Sequence, residues 1–218
     1  MSAAPPLASS IEPPSAASRA AEIMTEADYL RIERAATEGL RAEFDSSRRI
    51  PMTGASLRHV DLSRRVEEAL RSLIAARPAA DRAARPLTTF RSDLRLRVPA
   101  GRYRYPDVML TPDPPATLDD EQDTVLNPLP IAEVLSPSTE HVDRGAKLAE
   151  YRAIPTLTDY LLIAQDEPQI DHYRRTGGGA AEPNEADRWE VVRYTGEEAE
   201  VPLTNLGPLP LGQLYGTG

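Results

Sequence analysis

The chain has 218 residues, of which 40% are hydrophobic and 27% charged, so it is long enough for one domain with a sizeable core. It contains no cysteine and no apolar run long enough for a membrane-spanning helix, which excludes disulfides, thiolate catalysis, cysteine-based zinc sites and a helical membrane protein. Its formal net charge of -9 argues against a surface that binds polyanions all round.

The charge is unevenly distributed along the chain. Residues 25–110 carry a formal charge of +5, whereas residues 111–218 carry −13. The first of these segments can therefore present a local patch that faces phosphate, although the whole chain is acidic.

The N-terminal residues are rich in Ala, Ser and Pro and contain few large apolar side chains. They lack the basic start and the continuous apolar stretch of a secretion signal. We therefore predict a disordered tail over residues 1–23 and a single domain over residues 24–218. Without a secretion signal or a membrane span, we expect a cytoplasmic protein.

Two helices are predicted to open the domain. Thr25 is predicted as the N-cap of a helix that runs to about residue 42. A second helix is predicted over residues 57–76, where apolar side chains recur at helical spacing before Pro78.

The pattern then changes to strands. Alternation over residues 94–98, a turn at Gly101 and an apolar segment over residues 103–110 predict a hairpin. Its flanking arginines fit either contacts to DNA phosphates or a solvated sheet edge. These arginines are Arg95, Arg97, Arg102 and Arg104.

The second half of the chain alternates between strands and a helix. After a Pro- and Asp-rich loop over residues 111–128, the predicted elements are a central strand over 129–135, a helix over 143–153, paired strands over 158–164 and 169–174, and a strand over 189–194. This order indicates a mixed α/β domain with helices on the faces of a sheet.

Two carboxylates fall where buried strands would not favour them. Asp107 begins an apolar segment, and alternation puts Glu133 on one strand face with Ile131 and Leu135. An unpaired buried carboxylate costs on the order of several kcal/mol. A divalent cation that took both carboxylates as ligands would remove that cost.

Lys147 is the single lysine among 25 basic residues, and it lies on the predicted helix in line with Tyr151 and Ile154. A compact ammonium on a flexible stem can be deprotonated or can orient a water molecule, which guanidinium does poorly. The alternative is that one basic residue merely happens to be lysine. Two acids and a lysine around Mg²⁺, or around Mn²⁺ as the alternative ion, suit metal-assisted phosphodiester hydrolysis.

Four segments of the chain together resemble the Uma-two family, which belongs to the PD-(D/E)XK superfamily of restriction-endonuclease-like nucleases. The match is strongest over residues 105–163 and extends more weakly over about 25–215. The segments are PDV at 106–108, AEVLSPST at 132–139, DRGAKLAEY at 143–151 and DYLLI at 159–163.

The resemblance implies a restriction-endonuclease-like core, in which a central mixed sheet is flanked by helices. It places Asp107 at the Asp of the PD element and Glu133 at the (D/E) position. The usual lysine two residues later is replaced by Leu135, and the resemblance implies that Lys147 on the following helix takes its role. The backbone carbonyl of Val134 is expected as a further metal ligand.

Three further residues are candidates for accessory roles. The resemblance implies that Glu43 is an acid joining the metal site, although the family's Glu-Leu-Ile-x-Gly stretch reads Glu-Phe-Asp-Ser-Ser here. His59 lies where the family's second helix begins and can approach the site from there. Tyr151 either shapes the site or packs in the core. Asp143 is interpreted as the N-cap of the Lys147 helix rather than as a ligand.

The leading hypothesis is a Mg²⁺-dependent endonuclease that acts on DNA, with Asp107, Glu133 and Lys147 as its catalytic residues. A homodimer is expected by analogy, because cutting both strands of a duplex requires two sites. Two alternatives remain open. One is a catalytically inactive protein that keeps the nuclease fold for binding, which the acidic charge favours, and the other is a hydrolase of small nucleotide substrates.

Overall fold

The computed structural model describes residues 22–36, 41–180 and 185–216. Most of the predicted tail, residues 1–21, lies outside the described residues. The strands are β1 (Glu22–Ile23), β2 (Ala42–Asp45), β3 (Arg48–Pro51), β4 (Leu87–Arg91), β5 (Arg95–Val98), β6 (Arg102–Arg104), β7 (Val108–Pro112), β8 (Thr124–Val125), β9 (Pro130–Val134), β10 (Asp159–Ile163), β11 (Gln169–Gly177), β12 (Arg188–Thr195), β13 (Glu200–Leu203) and β14 (Gly207–Pro210). The helices are α1 (Glu26–Ala35), α2 (Leu57–Ala76), α3 (Ala79–Ala84), α4 (Glu140–Val142), α5 (Leu148–Arg152) and α6 (Gly212–Tyr215).

Helix α1 begins where predicted and ends earlier. The side chain of Thr25 accepts a hydrogen bond from the Asp28 N–H and caps its first turn. The predicted extension to residue 42 is wrong at both of its described ends, because Ala36 is extended and ends the helix and β2 begins at residue 42; residues 37–40 lie outside the described residues. Alternate residues of β2 are buried, as expected for a strand with one face against the core.

Helix α2 has the predicted bounds. The Ser56 side chain accepts a hydrogen bond from the His59 N–H and caps the helix, which ends before Pro78. Its buried stripe packs on the second sheet and consists of Leu62, Val66, Ala69 and Leu70.

The first six-stranded sheet has the order β1-β3-β2-β6-β5-β8. Strands β5 and β6 form the predicted hairpin, with Gly101 at a φ of 68° in the turn. The predicted return strand over residues 103–110 is wrong as one element, because β6 belongs to this sheet and β7 to the other. Pro106 explains the break, since it has no N–H for a ladder and restricts the residue before it.

The second six-stranded sheet has the order β12-β11-β10-β9-β7-β4. Strands β9 and β10 are parallel, and the other neighbours are antiparallel. The predicted central strand is confirmed as β9, and the predicted strands over 158–164, 169–174 and 189–194 correspond to β10, β11 and β12.

The helix that carries Lys147 runs from residue 140 to residue 152 and is called here the 140–152 helix. It consists of α4, a turn of π-helix (Asp143–Lys147) and α5. Asp143 lies inside this helix and is 1% exposed, so its interpretation as an N-cap is wrong. The helix starts one turn earlier than predicted.

Two layers cover the second sheet. Helices α2 and α6 and the β13–β14 hairpin contribute to the apolar cluster on one face, and the other face packs against the 140–152 helix and strands β5 and β8 of the first sheet. This arrangement confirms the predicted mixed α/β fold. Among the described helices, none has the length and apolar character that crossing a membrane requires.

Candidate active site

Asp107 and Glu133 meet where the chain enters the second sheet. Asp107 immediately precedes β7, which pairs with β9 through Val108 and Ala132. The Asp107 N–H lies 3.3 Å from Glu133 Oε2, and the Val134 N–H donates to Asp107 Oδ2 over 2.8 Å. The antiparallel register therefore brings the two predicted carboxylates side by side.

Glu133 is the most enclosed acid of this pair, with 3% of its surface exposed. One of its oxygens, Oε1, accepts hydrogen bonds from Lys147 Nζ at 3.0 Å and from the Tyr151 hydroxyl at 2.8 Å. Both donors come from the 140–152 helix, four residues apart, so they share one face of it. Tyr151 thus contacts the site directly and is also fully buried in the core.

Lys147 is surrounded by carboxylates. Its Nζ lies 3.0 Å from Asp143 Oδ1 and 3.6 Å from Glu43 Oε1, in addition to the contact with Glu133. Asp143 stands four residues before Lys147, on the same helix face. Glu43 arrives from β2 in the first sheet, so the site lies between the two sheets.

His59 reaches the site from the first turn of α2. Its Nε2 lies 2.9 Å from Asp107 Oδ1, and its backbone N–H is held by the Ser56 cap. Asp107 therefore contacts His59 with one oxygen and the Val134 N–H with the other. The side chains of His59 and Asp107 are 15% and 17% exposed, so the site opens to solvent on this side.

An arginine links the site to the first sheet. Arg104 contacts Glu43 Oε2 at 3.1 Å and forms a two-pronged ion pair with Glu150 at 2.8 Å for each bond. Arg95 is likewise buried and pairs with Asp123. Arg95 and Arg104 were predicted to be exposed, either at a solvated sheet edge or against phosphate. This prediction is wrong, because both side chains are buried and pair with acids of other elements.

Burial and neighbouring charges shift the pKa values of Glu133 and Lys147 in this cluster. Burial raises the pKa of Glu133 to about 8; the Lys147 ammonium opposes that rise, and the carboxylates of Asp107 and Asp143 add to it. Burial disfavours the charged form of Lys147, but Glu133, Glu43 and Asp143 outweigh it and hold the pKa of Lys147 well above its usual value. Lys147 is therefore an ammonium at neutral pH.

The described ranges contain no group of three or more His, Asp or Glu side chains already arranged to hold a metal ion. The Lys147 ammonium lies among the carboxylates instead. Their oxygens are the hard donors that Mg²⁺, Mn²⁺ and Ca²⁺ prefer, so the donor chemistry suits such ions.

The seven residues predicted for catalysis, metal binding or accessory roles meet in this region. Two participants were missed. Asp143 was interpreted as a cap, although its spacing of four residues from Lys147 is also the spacing of a helical ion pair. Arg104 carried no local signal, because its partners lie far away along the chain.

The family model described as "Uma2: Putative restriction endonuclease" matches residues 26–207. The chain belongs to the Uma2 family. An uncharacterized protein of Synechocystis sp., sll1609, is 37% identical over 185 residues, which cover 84% of this chain and 94% of that protein. A second uncharacterized Synechocystis protein, slr1290, is 41% identical over 119 residues, which cover 53% of this chain and 56% of that protein.

A solved structure shares the fold of this Uma2 protein. It is the crystal structure of "a putative nuclease belonging to DUF820" from Anabaena variabilis, with a TM-score of 0.63 and 16% sequence identity. The match covers 88% of this chain and 97% of that one. At this identity the likeness concerns the fold alone.

Proposed function

We propose that this Uma2 protein is a metal-dependent nuclease that hydrolyses phosphodiester bonds in DNA. The observation that carries the proposal is the meeting of Asp107 and Glu133 at neighbouring strands, with the Lys147 ammonium 3.0 Å from Glu133. Membership of a family described as "Putative restriction endonuclease" supports a nuclease. The Anabaena neighbour, described as "a putative nuclease", has the same fold.

The charge balance of the cluster favours a divalent cation. Four carboxyl groups surround one lysine ammonium, and burial together with the neighbouring acids raises the pKa of Glu133 to about 8, a cost that a bound cation would relieve. Asp107 and Glu133 would hold Mg²⁺ or Mn²⁺, together with the Val134 carbonyl. The ion would stabilise charge on the phosphate and lower the pKa of a bound water. The four carboxylates are those of Asp107, Glu133, Glu43 and Asp143.

The protein's own side chains have distinct tasks in this proposal. Lys147 stays protonated, so it orients the attacking water and stabilises developing negative charge instead of removing a proton. Tyr151 donates to Glu133 and fixes the orientation of that carboxylate. His59 does the same for Asp107. Glu43 is an accessory acid that holds Lys147 from the opposite sheet.

Plasmid cleavage in the presence and absence of Mg²⁺ tests the proposal. Wild type is expected to nick supercoiled DNA only with the metal, and Asp107→Asn and Glu133→Gln to lose about 100-fold or more of that rate. Glu190→Gln, an exposed change on β12, is the matched control and should cleave like wild type. Cleavage at the wild-type rate by Glu133→Gln would sink the assignment.

The two alternatives predict other results in the same assay. A binding protein without activity would retain DNA on a gel and cleave nothing at any metal concentration. A hydrolase of small substrates would consume nucleotides and spare the plasmid. The predicted homodimer stays a prediction, tested by the mass of the protein in solution.

A further inference from the structure

Gln165 lies just beyond the end of β10, in the sheet that carries Glu133. Its half-buried side chain turns toward the end of β9, where the amide Nε2 donates to the Leu135 carbonyl over 2.6 Å. The Leu135 N–H itself donates to the Ile163 carbonyl over 2.8 Å. The Gln165 amide therefore adds one hydrogen bond to the parallel pairing of β9 with β10, past the last residue of either strand.

The other end of the same amide holds the first turn of α2. Gln165 Oε1 accepts a hydrogen bond from the Ser56 hydroxyl over 3.1 Å, and Ser56 Oγ accepts the His59 N–H over 3.1 Å. Arg58 adds a second tie, because its Nε donates to the backbone carbonyl of Gln165 over 2.6 Å. The start of α2 is thus bound to the loop that follows β10.

These contacts close a ring that passes through the candidate site. His59 Nε2 lies 2.9 Å from Asp107 Oδ1, and Asp107 Oδ2 accepts the Val134 N–H over 2.8 Å. Val134 is joined by its peptide bond to Leu135, on which the Gln165 amide is anchored. Both oxygens of Asp107 are therefore held by elements that Gln165 ties together.

The direction of each hydrogen bond in this ring is determined. The Leu135 carbonyl can only accept, so Gln165 Nε2 faces it and Gln165 Oε1 faces Ser56. The Ser56 hydroxyl then gives its one proton to Gln165 and accepts the His59 N–H with a lone pair. An ionised Asp107 also only accepts, so His59 Nε2 carries a proton. A side-chain amide suits position 165 because one end must donate and the other must accept.

We propose that Gln165 is a positioning residue, which holds His59 against Asp107 by tying the first turn of α2 to the end of β9. The amide bonds of Gln165 go to Ser56 and Leu135, so it acts on Asp107 through His59. Its effect on metal binding rests on the proposed function. Its effect on the placement of the His59 ring does not, and the two are measured separately.

The His59 ring can be observed in the metal-free protein. The chain has three histidines, so long-range ¹H–¹⁵N spectra in EDTA at pH 8 identify the His59 signals by their absence from His59→Gln. In wild type we expect the single tautomer protonated at Nε2, because Asp107 only accepts. In Gln165→Ala the ring nitrogen signals should shift toward the averaged values of an imidazole that exchanges between both tautomers.

Calorimetric titration of Mg²⁺ gives the second readout. Gln165→Ala is expected to weaken binding about threefold to tenfold, at or below the lower end of the usual effect of losing an outer partner of a metal ligand. The same change made in His59→Ala should weaken it no further, since a residue that acts through His59 has nothing left to position. Gln213→Ala, which changes an exposed glutamine of α6, is the matched control.

Two polar variants separate this role from simple packing and from capping of α2. Gln165→Glu keeps the acceptor for Ser56 but cannot donate to the Leu135 carbonyl. Ser56→Asp keeps an N-cap for α2 but has no proton for Gln165 at pH 8. Both are expected to change the His59 ring signals as Gln165→Ala does, while circular dichroism shows the helix content of wild type.

Wild-type His59 signals in Gln165→Ala and in Ser56→Asp would overturn the inference. A loss of Mg²⁺ affinity that adds in full to that of His59→Ala would overturn it as well, because Gln165 would then act by another route. Failure of the proposed function looks different. Wild type that binds no Mg²⁺ and cleaves no DNA would remove the nuclease, and the His59 signals in EDTA would still decide whether Gln165 places the ring.

Discussion

Lys147 is enclosed by acids, with 8% of its surface exposed and three carboxylates within 3.6 Å of its nitrogen. Removing one partner of a buried ion pair leaves the other charge without compensation. The lysine therefore has a structural effect as well as its proposed part in hydrolysis, and the two can be measured separately.

We expect Lys147→Met to lower the free energy of unfolding by about 3–5 kcal/mol, because buried carboxylates lose their counter-charge. Urea unfolding at neutral pH measures this. The double variant Lys147→Met/Glu133→Gln should recover part of the loss, since it also removes one of the buried charges. Equal stability of Lys147→Met and wild type would show that solvent already compensates the acids.

His59 acts on the site through Asp107. We expect His59→Ala to weaken Mg²⁺ binding or Mg²⁺-dependent cleavage about 10–100-fold, the usual effect of losing a residue that orients a metal-binding group. His59→Gln, which retains a donor, should recover part of it. The thermal unfolding midpoint is the control and should stay close to that of wild type, because the side chain is at the edge of the core.

The sequence located the acids of the site better than their partners. Asp107 and Glu133 were recognisable because Asp107 begins an apolar segment and Glu133 is a charge within one, and Lys147 because it is the chain's single lysine. Asp143 fitted a helix cap equally well on spacing alone. The pairing of Glu43 with Lys147 depends on how two sheets pack, which no local pattern contains.

An ion-pair network joins strand β6 to the 140–152 helix. Arg104 makes two bonds of 2.8 Å to Glu150, and Arg102 adds a third of 2.7 Å. Burial acts to raise the pKa of Glu150, but the two arginines outweigh it and hold that pKa below its ordinary value of 4.5. Glu150 therefore binds a proton more tightly in the unfolded chain than in the folded one.

This difference predicts a pH dependence. Above pH 4.5 the Glu150 contribution to stability is fully present, and it is lost as the pH falls through the lowered folded-state pKa. We expect Glu150→Gln to cost about 1.5–3 kcal/mol at pH 7 and less in acid. Urea unfolding from pH 7 to pH 3 measures it, with the exposed Glu185→Gln as control. A cost that is constant with pH would contradict this assignment.

The β13–β14 hairpin and α2 pack in the same apolar core on one face of the second sheet. Leu209 is fully buried in the cluster between the hairpin, α2 and the second sheet. We expect Leu209→Ala to lower the free energy of unfolding by about 2–5 kcal/mol, through lost burial and the cavity that remains. The exposed Glu200→Ala on β13 is the control. Indistinguishable unfolding curves for the two variants would show that the hairpin is not part of the core.

Elements with a continuous pattern were predictable, and short pairing strands were not. The helical spacing of apolar residues in α2 was enough to predict where that helix begins and ends, and the apolar run of β9 indicated an interior strand. The β2 strand was not predicted, because its partners, β3 and β6, are distant or themselves short. The break at Pro106 divided an apolar run between two sheets, which proline chemistry indicates only in retrospect.

The whole molecule places its candidate site where the layers meet. The chain crosses from the first sheet to the second at Asp107, α2 supplies His59 from one side, and the 140–152 helix supplies Lys147 from the other. Fold and site are therefore coupled, and the same crossing that divides the predicted return strand brings the carboxylates together.

The central claim is that Asp107 and Glu133 form one divalent-cation site. Calorimetric titration of Mg²⁺ and of Mn²⁺ into wild type, Asp107→Ala and Glu133→Gln tests it most directly, with Glu190→Gln as the control. We expect saturable binding in wild type and in the control, and its loss in both site variants. Binding that is unchanged in Asp107→Ala, or absent from wild type, would contradict the account.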